Sequence, residues 1–332
     1  MALPGELEII DLARRYFERS AAKSQVALGI GDDCASIIPT RGHEVLLSTD
    51  TLAEAVHFLR ELSKPEEVGA KAIFTSASDI AAMGGKVVGF LLSINLHEVD
   101  RKWLQAFLGG AGKAAWQCGG RILGGNVSVS ASLSFTVTVI GEVKKNHRVD
   151  RSGAKPGDLV YVTGYPGESA LGLDILMSGK KRIRPAEKKL VQRHTRPTPR
   201  LKWGALLAEG RIASSMIDIS DGVALDFRRI LKASGAGGVI NLDGFPISGA
   251  VKLSQNGENK TNLLKRMITG GEDYELLFTV NPRKTKKLET LIKEEGIKAH
   301  RIGEITAQKG TLEIFGEDGK KLDFLFEGWL HS

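Results

Sequence analysis

Six aspartates lie in glycine-flanked or otherwise uncharged stretches: Asp32 and Asp33 after Gly31, Asp50 in Ser48-Thr49-Asp50, Asp79 in TSASDIAAMGG, and Asp218 and Asp221 in MIDISDG. Asp79 is the only charge between Lys71 and Lys86. A lone carboxylate among Ala, Ile, Ser and Met needs a partner or a metal. Each acid also has an ordinary explanation: Asp33 can end a turn, Asp50 and Asp221 can cap helices, and Asp79 can pair with a buried Arg. Taken together, acids at strand ends in two successive domains read as hard oxygen ligands, suited to Mg²⁺ carrying phosphates. Zinc is disfavoured, because Cys34 and Cys118 are far apart and no His/Cys cluster exists. The usual nucleotide signatures are missing: no Gly-Lys pair is followed by Ser or Thr, and GIGDDC breaks the dinucleotide fingerprint at its last glycine.

The elements that must position these acids fit an α/β chain. Its 332 residues suggest about two domains. Leu7, Ile10, Ala13 and Phe17 repeat at helical spacing. A short strand over Glu44 to Ser48 runs into STDTL, and Ser63, Pro65 and Glu66 open a helix over Pro65 to Met83. A strand over Val87 to Ile94, a helix capped by Asp100, and one long alternating strand from Ile122 through Val143 follow. The stretch Ile122 to Gly141 is uncharged, but its Ser and Thr residues alternate with apolar ones, which favours a strand with one polar face over a membrane span. The polar connection Lys144 to Asp158 places a domain boundary near 150, giving domains 1–150 and 151–332, both mixed α/β (α+β). In the second, strands are expected at Leu159 to Thr163, Met216 to Ile219, Gly238 to Leu242, Tyr274 to Val280, His300 to Gly303 and Thr311 to Phe315. Helices are expected at Glu168 to Met177, Arg200 to Glu209, Leu225 to Ala233, and from Pro282 toward Gly296.

The net charge is +7, and Lys180 to Lys202 holds ten Lys and Arg residues against the single acid Glu187. Such a segment can bind a polyanion, yet no aromatic residue accompanies the cations before Trp203, so a solvated helix face with a few phosphate-facing residues is favoured over nucleic acid. Two cysteines make no disulfide framework, and the N-terminus has neither a basic nor an apolar leader region; a reducing, cytoplasmic setting without a membrane partner is expected.

GIGDDCA, STDTLAEAVHF, SDIAAMGG, RSGAKPGD, HTRPTPR, MIDISDG, GGEDYELLFTV and the closing GW stand in an order and spacing that resembles bacterial thiamine-monophosphate kinases. The resemblance covers nearly the whole chain. GDD, SDG and the two-domain architecture recur in the related aminoimidazole ribonucleotide synthetases, selenophosphate synthetases and hydrogenase maturation factors; STDTL followed by His57, and GGEDYEL, favour the thiamine branch. It implies an aminoimidazole ribonucleotide synthetase-like fold and a homodimer that pairs through its N-terminal sheets. The second domain would close over the nucleotide. The implied reaction moves the γ-phosphoryl group of ATP onto thiamine monophosphate, giving thiamine diphosphate and ADP, without a general base. Position by position, the resemblance implies Mg²⁺ at Asp33, Ser48, Thr49, Asp50, Asp79, Asp218 and Asp221, and ATP at Gly125, Arg151 and Ser220. His57, Glu272 and Trp329 would contact the thiamine moiety. His57 also fits an ordinary loop histidine, Trp329 a packing residue, and Glu272 a partner of a nearby cation. One departure stands out: the family's GGDT is Gly124-Gly125-Asn126-Val127 here, so a metal- and nucleotide-binding carboxylate becomes an amide, which can still coordinate but adds no charge. Asn126 could instead complete a turn. The ending GWLHS departs too. These leave a weakly active nucleotide-binding relative, or an ATP-using enzyme on another acceptor, as alternatives.

Overall fold

The computed structural model describes residues 6–17, 25–254, 257–316 and 318–322. The chain divides into two compact units: Met1–Ile80 with Gly85–Asn146, and Ala81–Gly84 with His147–Ser332.

The first unit comprises α1 (Glu6–Phe17), β1 (Val26–Leu28), β2 (Ser36–Ile37), β3 (His43–Ala53), α2 (Pro65–Ala82), β4 (Lys86–Leu96), α3 (Arg101–Gln117), β5 (Ile122–Val129) and β6 (Ser134–Lys144). α3 starts where Asp100 accepts the Trp103 amide at 2.7 Å, as its sequence predicts. Two expectations are corrected. β3 runs on to Ala53, so Ser48 and Asp50 sit within a strand and Asp50 caps no helix. The long alternating segment is two strands: Ser130 Oγ bonds the Ser132 carbonyl at 2.5 Å in the turn between them, and the sheet order β3-β6-β4-β5 places them on opposite sides of β4. β4 pairs parallel with β5 and antiparallel with β6. Alternation could not reveal this, because both strands share the same polar and apolar faces. Phe135 of β6 stacks on Phe107 of α3 with ring centroids 3.9 Å apart. α2 and α3 touch through glycines: a Cβ on Gly69 would overlap the Phe107 carbonyl, and one on Gly110 the Glu66 carbonyl. This close approach fixes α2, and with it Asp79, against the sheet.

The second unit comprises β7 (Leu159–Thr163), α4 (Glu168–Met177), α5 (Pro185–Thr195), α6 (Leu201–Glu209), β8 (Ala213–Asp218), α7 (Val223–Ser234), β9 (Gly237–Asn241), α8 (Gly249–Ser254), α9 (Lys260–Thr269), β10 (Leu276–Val280), α10 (Thr285–Glu295), β11 (Ala299–Thr306) and β12 (Leu312–Phe315). Its sheet runs β12-β9-β11-β7-β10-β8, antiparallel except between β12 and β9. Alternation divides the strands between two cores: Val160, Val162, Ile217 and Leu277 join Phe227, Leu264 and Leu171 on one side, while Met216, Leu276 and Phe278 join Trp203 and Leu288 on the other. Helices α8 and α9 have no counterpart among the expected elements, whereas α5 lies within Lys180 to Lys202, the segment read as a helix face. For α9 the signal was present: Asn259 accepts the Thr261 amide at 2.8 Å, and Leu263, Leu264, Met267 and Ile268 form its buried face. Among the described residues no helix is long and apolar enough to cross a membrane.

Candidate active site

In the first unit, strand alternation sorts the Ser-Thr-Asp residues. Ser48 lies opposite Val139 and Asp50 opposite Val137, on the buried face of β6, while Thr49 pairs with Thr138 on the other face. Ser48 Oγ donates to Asp79 Oδ2. Ser76, one turn before Asp79 on α2, supplies a hydrogen bond to Asp50. Part of Asp50 reaches solvent, yet the protein packed around it withdraws enough water to raise its carboxyl to about 6; the Asp79 charge adds to this and Ser76 opposes it. Two facing carboxylates flanked by hydroxyls fit a hard divalent cation, which would relieve their repulsion. Among the described residues no three His, Cys, Asp or Glu side chains converge on one point. Mg²⁺ takes one or two carboxylates and completes its shell with water and phosphate oxygens.

A second group in this unit surrounds a cavity of about 1020 Å³ lined by Asp32, Asp33, Cys34, Ser93, Gly125 and Asn126, among others. Asp33 donates its amide to Asp32 Oδ1 at 2.9 Å, so the Gly31-Asp32-Asp33 turn is tied locally. Asn126 is a strand residue opposite Ser93 of β4, which removes the turn explanation. Gly125 must be glycine, because a Cβ there would overlap the Leu92 carbonyl. Ser128 shares the face of Asn126, but its hydroxyl is held by Asn95 Oδ1 at 2.5 Å, and Ser130 lies beyond the strand. His57 follows β3; its Nδ1 accepts the Ala53 amide at 3.1 Å, which places the ring proton of the neutral form on Nε2.

In the second unit, Asp218 ends β8 and is buried. The loop after it is organised by Asp226, a residue the motif reading passed over. Asp226 Oδ2 accepts the Ser220 amide at 3.1 Å and the Asp221 amide at 3.0 Å, and Arg229 donates to Asp226 Oδ1 at 2.5 Å. Burial raises the Asp226 carboxyl to about 6, with the Arg229 charge opposing it. An acid between Leu225 and Phe227, three residues before an Arg, was the available signal. Asp221 is ion-paired with Arg229. Beside this loop runs Gly270 to Glu275. Glu272 donates its amide to the Ser220 carbonyl at 2.8 Å, and Tyr274 donates to Ile219 at 2.9 Å. Glu272 and Tyr274 both take positive φ, 63° and 51°, conformations that side chains adopt only where the surroundings hold them. The Glu272 carboxylate lies 3.4 Å from His194 Nδ1. Arg151 is exposed in the connection 147–158, where its carbonyl accepts Ser234 Oγ at 3.4 Å. Trp329 lies outside the described residues.

The basic segment carries α5, and many of its cations face acids: Lys180 and Arg184 pair with Glu187, Arg193 with Glu168, Arg200 with Glu275, and Lys202 with Glu295. Hydrogen bonds from the Arg184 side chain and backbone, then from Lys180, hold the Glu187 carboxyl at about 2, below its ordinary 4.5. This interaction therefore stabilises the fold fully above pH 4.5 and is lost as pH falls toward 2. Glu187→Gln is expected to lower the melting temperature at pH 7 and to converge with the parent in strong acid. Melting curves that stay parallel across that range would remove this role.

Residues 31–143 match the N-terminal domain of AIR synthase related proteins and residues 155–314 their C-terminal domain. The thiamine-monophosphate kinase of Salmonella typhimurium is 37% identical over 333 residues, covering 98% of each chain. The chain belongs to the thiamine-monophosphate kinase family. The crystal structure of thiamine-monophosphate kinase from Stenotrophomonas maltophilia superposes with a TM-score of 0.84 at 29% identity, covering 97% of this chain and 99% of that one. AaThiL complexed with AMPPCP and TMP superposes with a TM-score of 0.77 at 32% identity, covering 99% of this chain and 97% of that one. Of the thiamine-monophosphate kinase motif positions, Ser48, Asp50 and Asp79 form one group, Asp33, Gly125 and Asn126 border one cavity, and Asp218 at the end of β8 leads into two adjoining loops that carry Ser220, Asp221 and Glu272. Thr49 faces away from the first group, its hydroxyl on Val137 and Thr138.

Proposed function

We propose that this chain transfers the γ-phosphoryl group of ATP to thiamine monophosphate, giving thiamine diphosphate and ADP. The observation that carries this reading is the full-length match to thiamine-monophosphate kinases, one of them solved with AMPPCP and TMP. The acceptor is a phosphate monoester with a second pKa of roughly 6, so it is already mostly a dianion at neutral pH and needs no general base. The protein's task is to bring two polyanions together in line and to offset their repulsion. Asp50 and Asp79, with Ser48, would hold Mg²⁺ in the first unit, and Asp33, Asn126, Asp218 and Asp221 are further candidate ligands. Bound there, Mg²⁺ supplies the positive charge that neutralises the phosphates. Ser220, Arg151 and the backbone at Gly125 would orient ATP; Glu272 would face the thiazolium cation, and His57, in its neutral form, adds no repelling charge. The first domain would carry metal and nucleotide and the second would close over both substrates, in a cytoplasmic homodimer. A coupled ADP-release assay with thiamine monophosphate against other phosphate acceptors tests the reading, and sedimentation tests the dimer. Preference for another acceptor would overturn the substrate. No observation favours another acceptor or a nucleic acid, since the basic segment spends much of its charge on Glu187, Glu168, Glu275 and Glu295.

Position 126 yields a separate expectation. An amide in place of a carboxylate weakens a site that must hold Mg²⁺ against water, and the Ser128 hydroxyl on the same face, whose proton goes to Asn95, adds no negative charge. Asn126→Asp is expected to move the Mg²⁺ titration, at saturating ATP and acceptor, to lower concentration or to raise the maximal rate. Superimposable curves would take position 126 out of the metal site.

A further inference from the structure

The loop that presents Glu272 is held in place from behind. Glu275, where this loop enters β10, is buried, and its Oε2 accepts Thr163 Oγ1 at 2.5 Å and Arg200 Nε at 2.5 Å. Arg200 Nη2 bonds the other oxygen, so the guanidinium grips the carboxylate with both arms. Thr163 Oγ1 also accepts the Leu276 amide at 2.8 Å, which locks the start of β10 to β7. Asp273, inside the loop, accepts the Gly167 amide at 2.6 Å and the Ser169 amide at 3.0 Å at the start of α4. The Asp273 and Glu168 carboxylates also act on Arg200, which thus serves three acids, one of them shared with Arg193. It arrives on HTRPTPR, where Pro197 and Pro199 stiffen the approach to α6.

Fold stability alone does not require such a group, because a buried ion pair can usually be replaced by apolar side chains without loss. What Arg200 does provide is geometry. Between the Asp273 and Glu275 anchors and the Glu272 and Tyr274 bonds to the neighbouring loop, the chain is pinned on both sides. That explains how two non-glycine residues persist at positive φ on either side of Asp273.

We infer that Arg200 is a positioning residue for the acceptor site: by clamping Glu275 it fixes the strained loop and so the place of the Glu272 carboxylate. This rests on the proposed function insofar as Glu272 meets the acceptor. Lysine keeps the charge but loses the fork. Arg200→Lys is therefore expected to raise the KM for thiamine monophosphate about tenfold, with the KM for ATP within about twofold of the parent. Combining Arg200→Lys with Glu272→Gln decides whether the effect travels through Glu272. If it does, Arg200→Lys adds less than about twofold to the acceptor KM in the Glu272→Gln background. Full additivity of the two changes, or equal shifts in both Michaelis constants, would overturn the inference and leave Arg200 a structural residue. A second route does not leave Glu275 unpaired: Arg200→Met with Glu275→Met, in which Asp273 keeps the Gly167 and Ser169 amides and Glu168 keeps Arg193, should fold with a melting temperature near the parent's and still show the raised acceptor KM. A normal KM in that folded double variant would equally overturn it. The unaltered protein's turnover of thiamine monophosphate checks the underlying function by itself, and if another acceptor proves to be the substrate, the same variants are measured against it.

Discussion

Asp79→Asn is expected to lower turnover by about a hundred- to a thousand-fold while the protein stays folded. Asparagine matches aspartate in shape and can still accept the Ser48 hydroxyl, so the helix and its packing survive; what disappears is the Asp79 charge facing Asp50, half of the pair's total. The charge loss has a readout that needs no metal. Burial first and the Asp79 charge second hold the Asp50 carboxyl up at about 6, so in the variant the Asp50 pKa should fall while burial keeps it above its ordinary 3.8. The linkage has a definite sign. A carboxyl whose pKa is higher in the folded than in the unfolded chain binds more protons when folded between the two values, so in metal-free buffer the parent gains stability as pH drops from about 6 to 3.8, and loses that gain as pH rises. The variant should show a flatter profile over the same window. Initial rates of ADP release, a carboxyl titration by NMR and melts across this pH range check the three parts. Near-normal activity at limiting Mg²⁺ would remove Asp79 from the metal site, and an unmoved Asp50 would show that the two acids do not interact.

Asp226→Ala is expected to destabilise the protein by about 3 kcal/mol and to abolish most activity. The side chain is fully buried and satisfies two backbone amides and one arm of Arg229. Removing it orphans the Ser220 and Asp221 amides and leaves Arg229 with Asp221 alone. The loop carrying the proposed nucleotide contact then loses its fixed shape, so urea denaturation and turnover should fall together. Asp226→Asn, which keeps one acceptor oxygen, should lie between the two. A stability change under about 1 kcal/mol for the alanine variant would mean that the loop is organised by other contacts.

Local signals were legible where a few neighbouring residues sufficed. The Asp100 cap and the Pro65 start of α2 each depend on groups within one turn, and these elements fall where their residues predict. The motif residues were legible for a related reason: acids in uncharged, glycine-flanked stretches are costly to keep, so they stand out without any knowledge of the fold. From residue order alone, therefore, came the mixed α/β class, the family resemblance and the set of candidate acids. Pairing across the chain was decided only in three dimensions. Asp79 meets Ser48 across 31 positions and Arg200 meets Glu275 across 75. β5 and β6 lie on either side of β4, and alternation along β3 turns Thr49 away from Ser48 and Asp50. Nothing local encodes these partners, because a buried charge demands a counter-charge without specifying which one, and a strand's two faces are assigned only when a sheet chooses its core. Arg200 illustrates the difference: in sequence it is one cation in a basic run, and only the burial of Glu275 beneath the loop that carries Glu272 makes it a clamp.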